Sequence, residues 1–272
     1  MKLDMGQAWN AAIAMLTANR SVVMIVAGVF FFLPSLALVL LLPESVQPPA
    51  ETADPKAALE AMMQIYTENW WAVLLSSVAQ GIGMLALLAL LTDRSRPTVG
   101  EALKRGASGF PSYLGAQLLL AFGVALVIGL PLGAAAASGV GALIAVLVIA
   151  AVVFMLYAVV KGSLIPQVIA IDGILNPVQV LKRSWQLTKG NSVRLLVFYV
   201  LLAVAMGVLL IIATMIFGLI LAVIGGDIEV IGNGVISSAI NAIFVTVFLA
   251  VLAAVHRQLA GPSTEAVSET FE

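Results

Sequence analysis

The chain alternates long apolar runs with short polar stretches, and the length of those runs is the first thing it reveals. A bilayer's hydrocarbon core takes about 20 apolar residues per helix. Six runs reach that length: Ser21–Leu42, Trp70–Leu91, Leu114–Ala136, Gly139–Val160, Val193–Ile224 and Val235–Val255. The fifth is long enough to tilt, kink or emerge from the membrane, and the small-residue stretch GAAAASGVG makes a tight turn between the third and fourth. The pattern predicts an all-α, polytopic membrane protein with six transmembrane helices. The first run exceeds the roughly 7–15 apolar residues of a cleavable signal, so it is expected to be a retained span.

Composition agrees. Hydrophobic residues make up 62% of the chain and charged ones 10%, against roughly 25% charged in a soluble globular domain. Residues 1–256 are expected to form one integral domain, and residues 257–272, acidic and containing Ser and Thr, a disordered cytoplasmic tail. There are no cysteines, which excludes disulfides, thiolate-ligated metals and thiolate nucleophiles.

The near-neutral total charge says little, but its distribution orients the chain. With both termini on one side, that side receives Lys2, Arg20, Arg94, Arg96, Lys104, Arg105, Lys161, Lys182, Arg183, Lys189, Arg194 and Arg257, leaving only Lys56 on the other. The opposite loops hold Glu44, Glu51, Asp54, Glu60, Glu68, Asp227 and Glu229. The positive-inside rule therefore predicts cytoplasmic termini in the inner (cell) membrane.

The segments before the odd-numbered spans look related: DMGQAWNAAIAMLTAN from Asp4, TVGEALKRGASGFPSY from Thr98 and NPVQVLKRSWQLTKGN from Asn176. Each opens on an N-cap residue with Gln7, Glu101 or Gln179 three positions on, the capping-box spacing. They predict three amphipathic interfacial helices and a threefold internal repeat over 4–92, 98–165 and 176–256, its units parallel because all start on one side. The alternative is a chance match among short alanine-rich segments. In the middle unit Gly106, Gly109 and Pro111 are expected to break the helix.

The third segment is the most distinctive. Asn176 caps it, Pro177 takes the first helical position and Gly190 supplies a left-handed close. Helical spacing sets Gln179, Lys182, Arg183, Gln186 and Lys189 on one face and Val178, Leu181 and Trp185 on another. This predicts a helix lying in the inner leaflet, with Lys182, Arg183, Trp185 and Lys189 as candidate contacts to anionic lipid headgroups or a protein partner. The plainer alternative is an anchor that enforces topology.

The run LIPQVIAIDGILNPVQVLKRSWQLTKGNSVRLL, Leu164–Leu196, carries Pro166, Val168, Asp172, Arg183, Ser184, Trp185, Leu187, Thr188 and Gly190 in a P-x-V, acidic turn, R-S-W-x-L-T-x-G order. In this it resembles the membrane domain fused to some glycerophosphodiester phosphodiesterases, and related six-span bacterial membrane proteins. The resemblance implies membrane architecture only, since the phosphodiesterase activity of that family belongs to a separate soluble barrel with histidines and metal-binding carboxylates. This chain has one histidine and no room for such a barrel.

Candidate chemistry is sparse, and no catalytic, metal or cofactor site is expected. His256, at the inner end of the last span, cannot alone supply a zinc site or a nucleophilic triad and is expected to be structural. No ionisable residue falls mid-span, which argues against a proton-coupled pump. The polar residues inside the spans include Gln80, Gln117 and Asn241, a candidate intramembrane polar site with Lys161, or simply interhelical hydrogen-bond partners. Lys161 is expected to snorkel from a span ending at Val160; extending that helix through GSLIPQVIAI would instead bury it. On the outer side, residues 55–69 read as an amphipathic helix with a Lys56–Glu60 pair, packed on the bundle or acting as a lid. Gly225–Gly234 reads as a turn. The sequence thus favours a non-catalytic membrane protein organising lipids or partner proteins, without nucleic acid, with a transporter of lipid or another apolar substrate as the rival.

Overall fold

The computed structural model describes residues 2–41, 60, 63–64, 66–93 and 97–261. The expected Lys56–Glu60 pair, the loop charges at Glu44, Glu51, Asp54, Arg94 and Arg96, and the tail from residue 262 lie outside them. The described residues are helical with no strands, and six helices are long and apolar enough to cross a membrane. The protein is a multi-pass membrane protein.

Helix α1 spans Met5–Ala18, and Asn19 separates it from α2, Arg20–Leu41. A π-helical turn over Gly28–Phe32 interrupts α2. Helix α3 is Trp70–Thr92 and α4 is Val99–Ser138; Gly139, at φ +70°, closes α4 as the tight turn requires. Helix α5, Gly141–Gly162, continues after a break into the short α6, Ile165–Ala170. Helix α7 is Pro177–Thr188, α8 is Ser192–Ile224 and α9 is Gly226–Ala260. The order interfacial helix, span, span recurs in α1–α2–α3 and α7–α8–α9.

Two expectations fail here. The middle interfacial helix does not break at Gly106, Gly109 and Pro111 but runs straight into its span, making α4 a single helix of 40 residues, about 60 Å at 1.5 Å per residue. Pro111 forfeits only one backbone bond, and the glycines act as contact points. A Cβ at Gly106 would stand 2.6 Å from the Ile82 carbonyl, and one at Gly109 would stand 3.0 Å from Ile169. The missing side chains let α4 press against α3 and α6, which is how small residues join helices in lipid. The second failure is Gly225–Gly234. The reversal uses Gly225 and Gly226 alone, at φ +70° and +62°, and the rest of that stretch is the first turns of α9.

Packing is concentrated at one end. Its longest buried runs are Leu85–Leu91 of α3 (with Leu90 half-buried), Val160–Ile169 around the α5–α6 break (with Ser163 half-buried) and Leu249–His256 of α9, joined by Ala8, Ala12 and Met15 of α1. Helix α5 buries nothing before Ala158, and α8 nothing after Leu202. At the packed end Asn191 Oδ1 accepts from the Leu3 amide at 3.0 Å, and the Gln258 amide donates to Asp4 O at 3.1 Å and to Gln7 Oε1 at 2.8 Å. The start of the chain, the α7–α8 turn and the end of α9 thus meet in one layer.

Candidate functional site

The packed end is shaped by the break after α5. Helix α5 stops at Gly162, where a Cβ would strike Leu120 at 2.5 Å, and Pro166 restarts the chain at the first turn of α6. Helix α6 is buried from Ile165 to Ile169. The loop after it turns through Gly173, at φ +69°, and delivers Asn176 to cap α7, its Oδ1 accepting from the amides of Val178 at 3.0 Å and Gln179 at 3.3 Å. Thr98 and Glu101 complete a reciprocal capping box, whereas Asp4 caps α1 without Gln7 returning the bond, because Gln7 is engaged by Gln258.

Two clusters flank this loop. In the first, Asp172 lies between α7 and α9. Its Oδ2 accepts from Arg183 Nε at 3.1 Å, and its Oδ1 is 3.1 Å from His256 Nε2. His256 is only 2% exposed. Neither ring nitrogen makes a well-directed hydrogen bond among the described residues, so Asp172 meets His256 in a close polar contact made off the N–H axis. Burial pushes the Asp172 carboxyl up, and the opposing pull of His256 and then Arg183 prevails, holding it below its ordinary value of 3.8. Asp172 therefore stays ionised and ties the basic helix to the last span. Five residues upstream, Gln167 is fully buried with both amide atoms unpartnered among the described residues.

The second cluster surrounds Lys161. Its side chain is 3% exposed, so it does not snorkel to solvent as expected; helix α5 carries it into the packed end, where α7 covers it. Nζ lies 5.4 Å from the Tyr157 ring centroid and 5.5 Å from that of Trp185, and the two rings meet edge to face at 5.4 Å. Ser184, buried on α7, donates to the Lys161 carbonyl at 2.6 Å and fastens the helices together.

Helix α7 thus has three edges. Val180, Ser184 and Leu187 are buried against the bundle; Lys182, Gln186 and Lys189 are exposed; Val178 and Trp185 are exposed on the apolar side. The expected basic face is therefore divided, with Arg183 turned to Asp172 while Lys182 and Lys189 stay free of ion pairs among the described residues. Docking of Val180 and Leu187 forces the division, since a helix pinned along one edge cannot lay a whole face on lipid.

The polar residues inside the spans do not converge. Gln117 donates to Tyr113 at 3.0 Å and lines an open apolar groove of ≈ 580 Å³ between α4 and α5. Gln80, Asn241 and Lys161 are not among the groove's lining residues, and no hydrogen bond joins any two of the four among the described residues. Both Gln80 and Asn241 are half-buried. Most of the outer helix expected over 55–69 lies outside the described residues; within it Met63 and Tyr66 are exposed.

Sequence reasoning missed the pairing of Asp172 with His256. The acidic turn and the lone histidine were both visible, but nothing periodic links them across the chain. No group of three or more metal-ligating side chains occurs among the described residues. Comparison with curated proteins and with solved structures gives no match. The family model described as a domain of unknown function (DUF7847) matches residues 3–259, so this chain of six membrane-crossing helices belongs to that family.

Proposed function

We propose that the chain is a non-catalytic module of the inner membrane, termini on the cytoplasmic side, that organises anionic lipids or partner proteins around the basic helix α7. The reading is carried by the way α7 is used. One edge is locked to the bundle through Ser184, Val180 and Leu187, while Lys182, Lys189, Val178 and Trp185 stay uncovered. A helix held so firmly presents its cations at a constant depth, and each one near an anionic surface is worth on the order of 1 kcal/mol. The free cations also cluster where both chain ends meet, matching the charge asymmetry of the loops. The likeness of Leu164–Leu196 to membrane domains of glycerophosphodiester phosphodiesterases belongs to the same proposal and adds no activity to it.

Extraction of the whole chain with its surrounding bilayer in polymer discs, followed by lipid counting, tests the reading. Anionic phospholipid should be enriched over the bulk membrane, and the enrichment should fall in Lys182→Gln/Lys189→Gln. Arg183 is left intact because it holds Asp172. Identical lipid composition around wild type and variant would remove the lipid half of the proposal and leave a protein partner.

One observation supports a second reading, a carrier of lipid: the open lateral groove of ≈ 580 Å³ between α4 and α5 is lined by apolar side chains, with Gln117 among them. Flip rates of a fluorescent phospholipid in proteoliposomes no faster than in empty vesicles would dispose of it.

A further inference from the structure

Resting on the lipid-organising reading, we propose that Lys161 and Lys189, walled by Tyr157 and Trp185, form a discrete site for one phosphate group, carried by an anionic phospholipid headgroup or a soluble phosphate ester.

The argument starts from an imbalance. Lys161 is 3% exposed, yet among the described residues it has neither a carboxylate within ion-pair distance nor a hydrogen-bond acceptor for its ammonium. The charge that does act on it is another cation, Lys189. Buried charges in folded proteins are paired, and the neighbouring cluster obeys that rule, since Asp172 brings its own cations. Tyr157 and Trp185 offset part of the cost by cation–π attraction, but quadrupoles leave the net charge in place. A buried lysine walled by two rings, with Lys189 one helical turn beyond Trp185 and no acid beside it among the described residues, is completed by an anion from outside the chain.

The frame is preorganised for one. Ser184 pins α7 to the end of α5, and the edge-to-face contact of Tyr157 with Trp185 fixes the wall. Access comes from the uncovered flank of α7, where Lys189 is exposed and Tyr157 and Trp185 are 39% and 43% exposed. Lysine ammoniums are compact point charges that donate in several directions, which suits the tetrahedral oxygens of a phosphate better than the planar fork of a carboxylate. The site also lies at the end of an apolar span, the depth at which a headgroup phosphate sits.

The test uses the full chain in two arms. In nanodiscs of phosphatidylcholine doped with phosphatidylglycerol, native mass spectrometry counts the lipid retained as the disc is stripped. In neutral detergent, after delipidation, tryptophan fluorescence follows titration with glycerol 3-phosphate and with inorganic phosphate. Wild type should retain one phosphatidylglycerol in preference to phosphatidylcholine. Lys161→Gln and Lys189→Gln should each weaken that retention about tenfold, the worth of one charge-assisted hydrogen bond. Lys161→Arg should restore it, and Lys104→Gln, exposed on α4, should leave it unchanged. Retention in discs without response to soluble phosphates identifies a headgroup, whereas a Lys161-dependent response in detergent identifies a free phosphate ester as well. Binding that is the same in wild type and Lys161→Gln, both shown folded by near-ultraviolet circular dichroism, overturns the proposal. If Lys161→Gln does not fold, unchanged binding in the exposed variant Lys189→Gln overturns it instead. The general enrichment lost in Lys182→Gln/Lys189→Gln is scored separately, so the site can fail while the broader lipid reading stands.

Discussion

Replacing Asp172 with alanine removes one carboxylate and loosens three elements. Arg183 is 38% exposed at its side chain, so it can turn to water, and its pair is worth about 0.5 kcal/mol. His256 cannot, being 2% exposed, and removing the carboxylate that lies 3.1 Å from its buried ring costs about 1–3 kcal/mol as uncompensated desolvation. The sum predicts a loss of about 1.5–3.5 kcal/mol for Asp172→Ala, against about 0.5 for Arg183→Gln. Reversible unfolding in mixed micelles, driven by rising dodecyl sulfate, measures both. The pH dependence has a definite sign. The folded-state carboxyl lies below its ordinary value of 3.8, so its contribution is complete above that pH and disappears as pH falls through the lower folded value. The stability gap between wild type and Asp172→Ala should close as pH falls below the ordinary carboxyl value. An Asp172→Ala loss under about 0.5 kcal/mol, or one matched by Arg183→Gln, would refute the reasoning, because it would show that His256 does not depend on this carboxylate.

Other consequences can be checked in the same micelles. Gly106→Ala should destabilise by about 1–3 kcal/mol, since its Cβ meets the Ile82 carbonyl at 2.6 Å and backbone cannot yield; Gly123→Ala, with nothing within 4 Å, should be neutral or slightly stabilising. Ser184→Ala should cost about 1 kcal/mol through loss of the bond to the Lys161 carbonyl and should raise the mobility of Trp185, read by fluorescence anisotropy in a variant lacking the other tryptophans. The chain contains no cysteine, so single cysteines map topology directly. Lys182→Cys should react with an impermeant thiol reagent only in inside-out vesicles and Glu68→Cys only in right-side-out ones, and Lys161→Cys should resist the reagent in both.

How far the sequence could be read depends on the range of each interaction. Span positions are a matter of local length and composition, and α2, α3 and α8 begin and end within a residue or so of the apolar runs. Caps are equally local: Asn176, Thr98 and the left-handed Gly190, at φ +80°, do what their neighbours in sequence require. The errors arise where a distant partner decides. Gly106 and Gly109 are breakers in isolation and contact points once α3 and α6 lie against them. Lys161 would snorkel from a free helix end, but α7 folds over it. Arg183 belongs to a basic face by spacing and to Asp172 by geometry. Of the candidate residues, Lys182, Trp185 and Lys189 remain together at one surface, while of Gln80, Gln117 and Asn241 only Gln117 lines the groove between α4 and α5.

The most direct measurement is electron paramagnetic resonance of spin-labelled phosphatidylglycerol and phosphatidylcholine around the reconstituted whole chain. Both lipids should show a motionally restricted fraction, with phosphatidylglycerol favoured. That preference should shrink with added salt and in Lys182→Gln/Lys189→Gln, because exposed charges are screened over about 10 Å at 0.1 M ionic strength. Equal restricted fractions for the two lipids at low salt, in wild type and variant alike, would contradict a lipid-organising role.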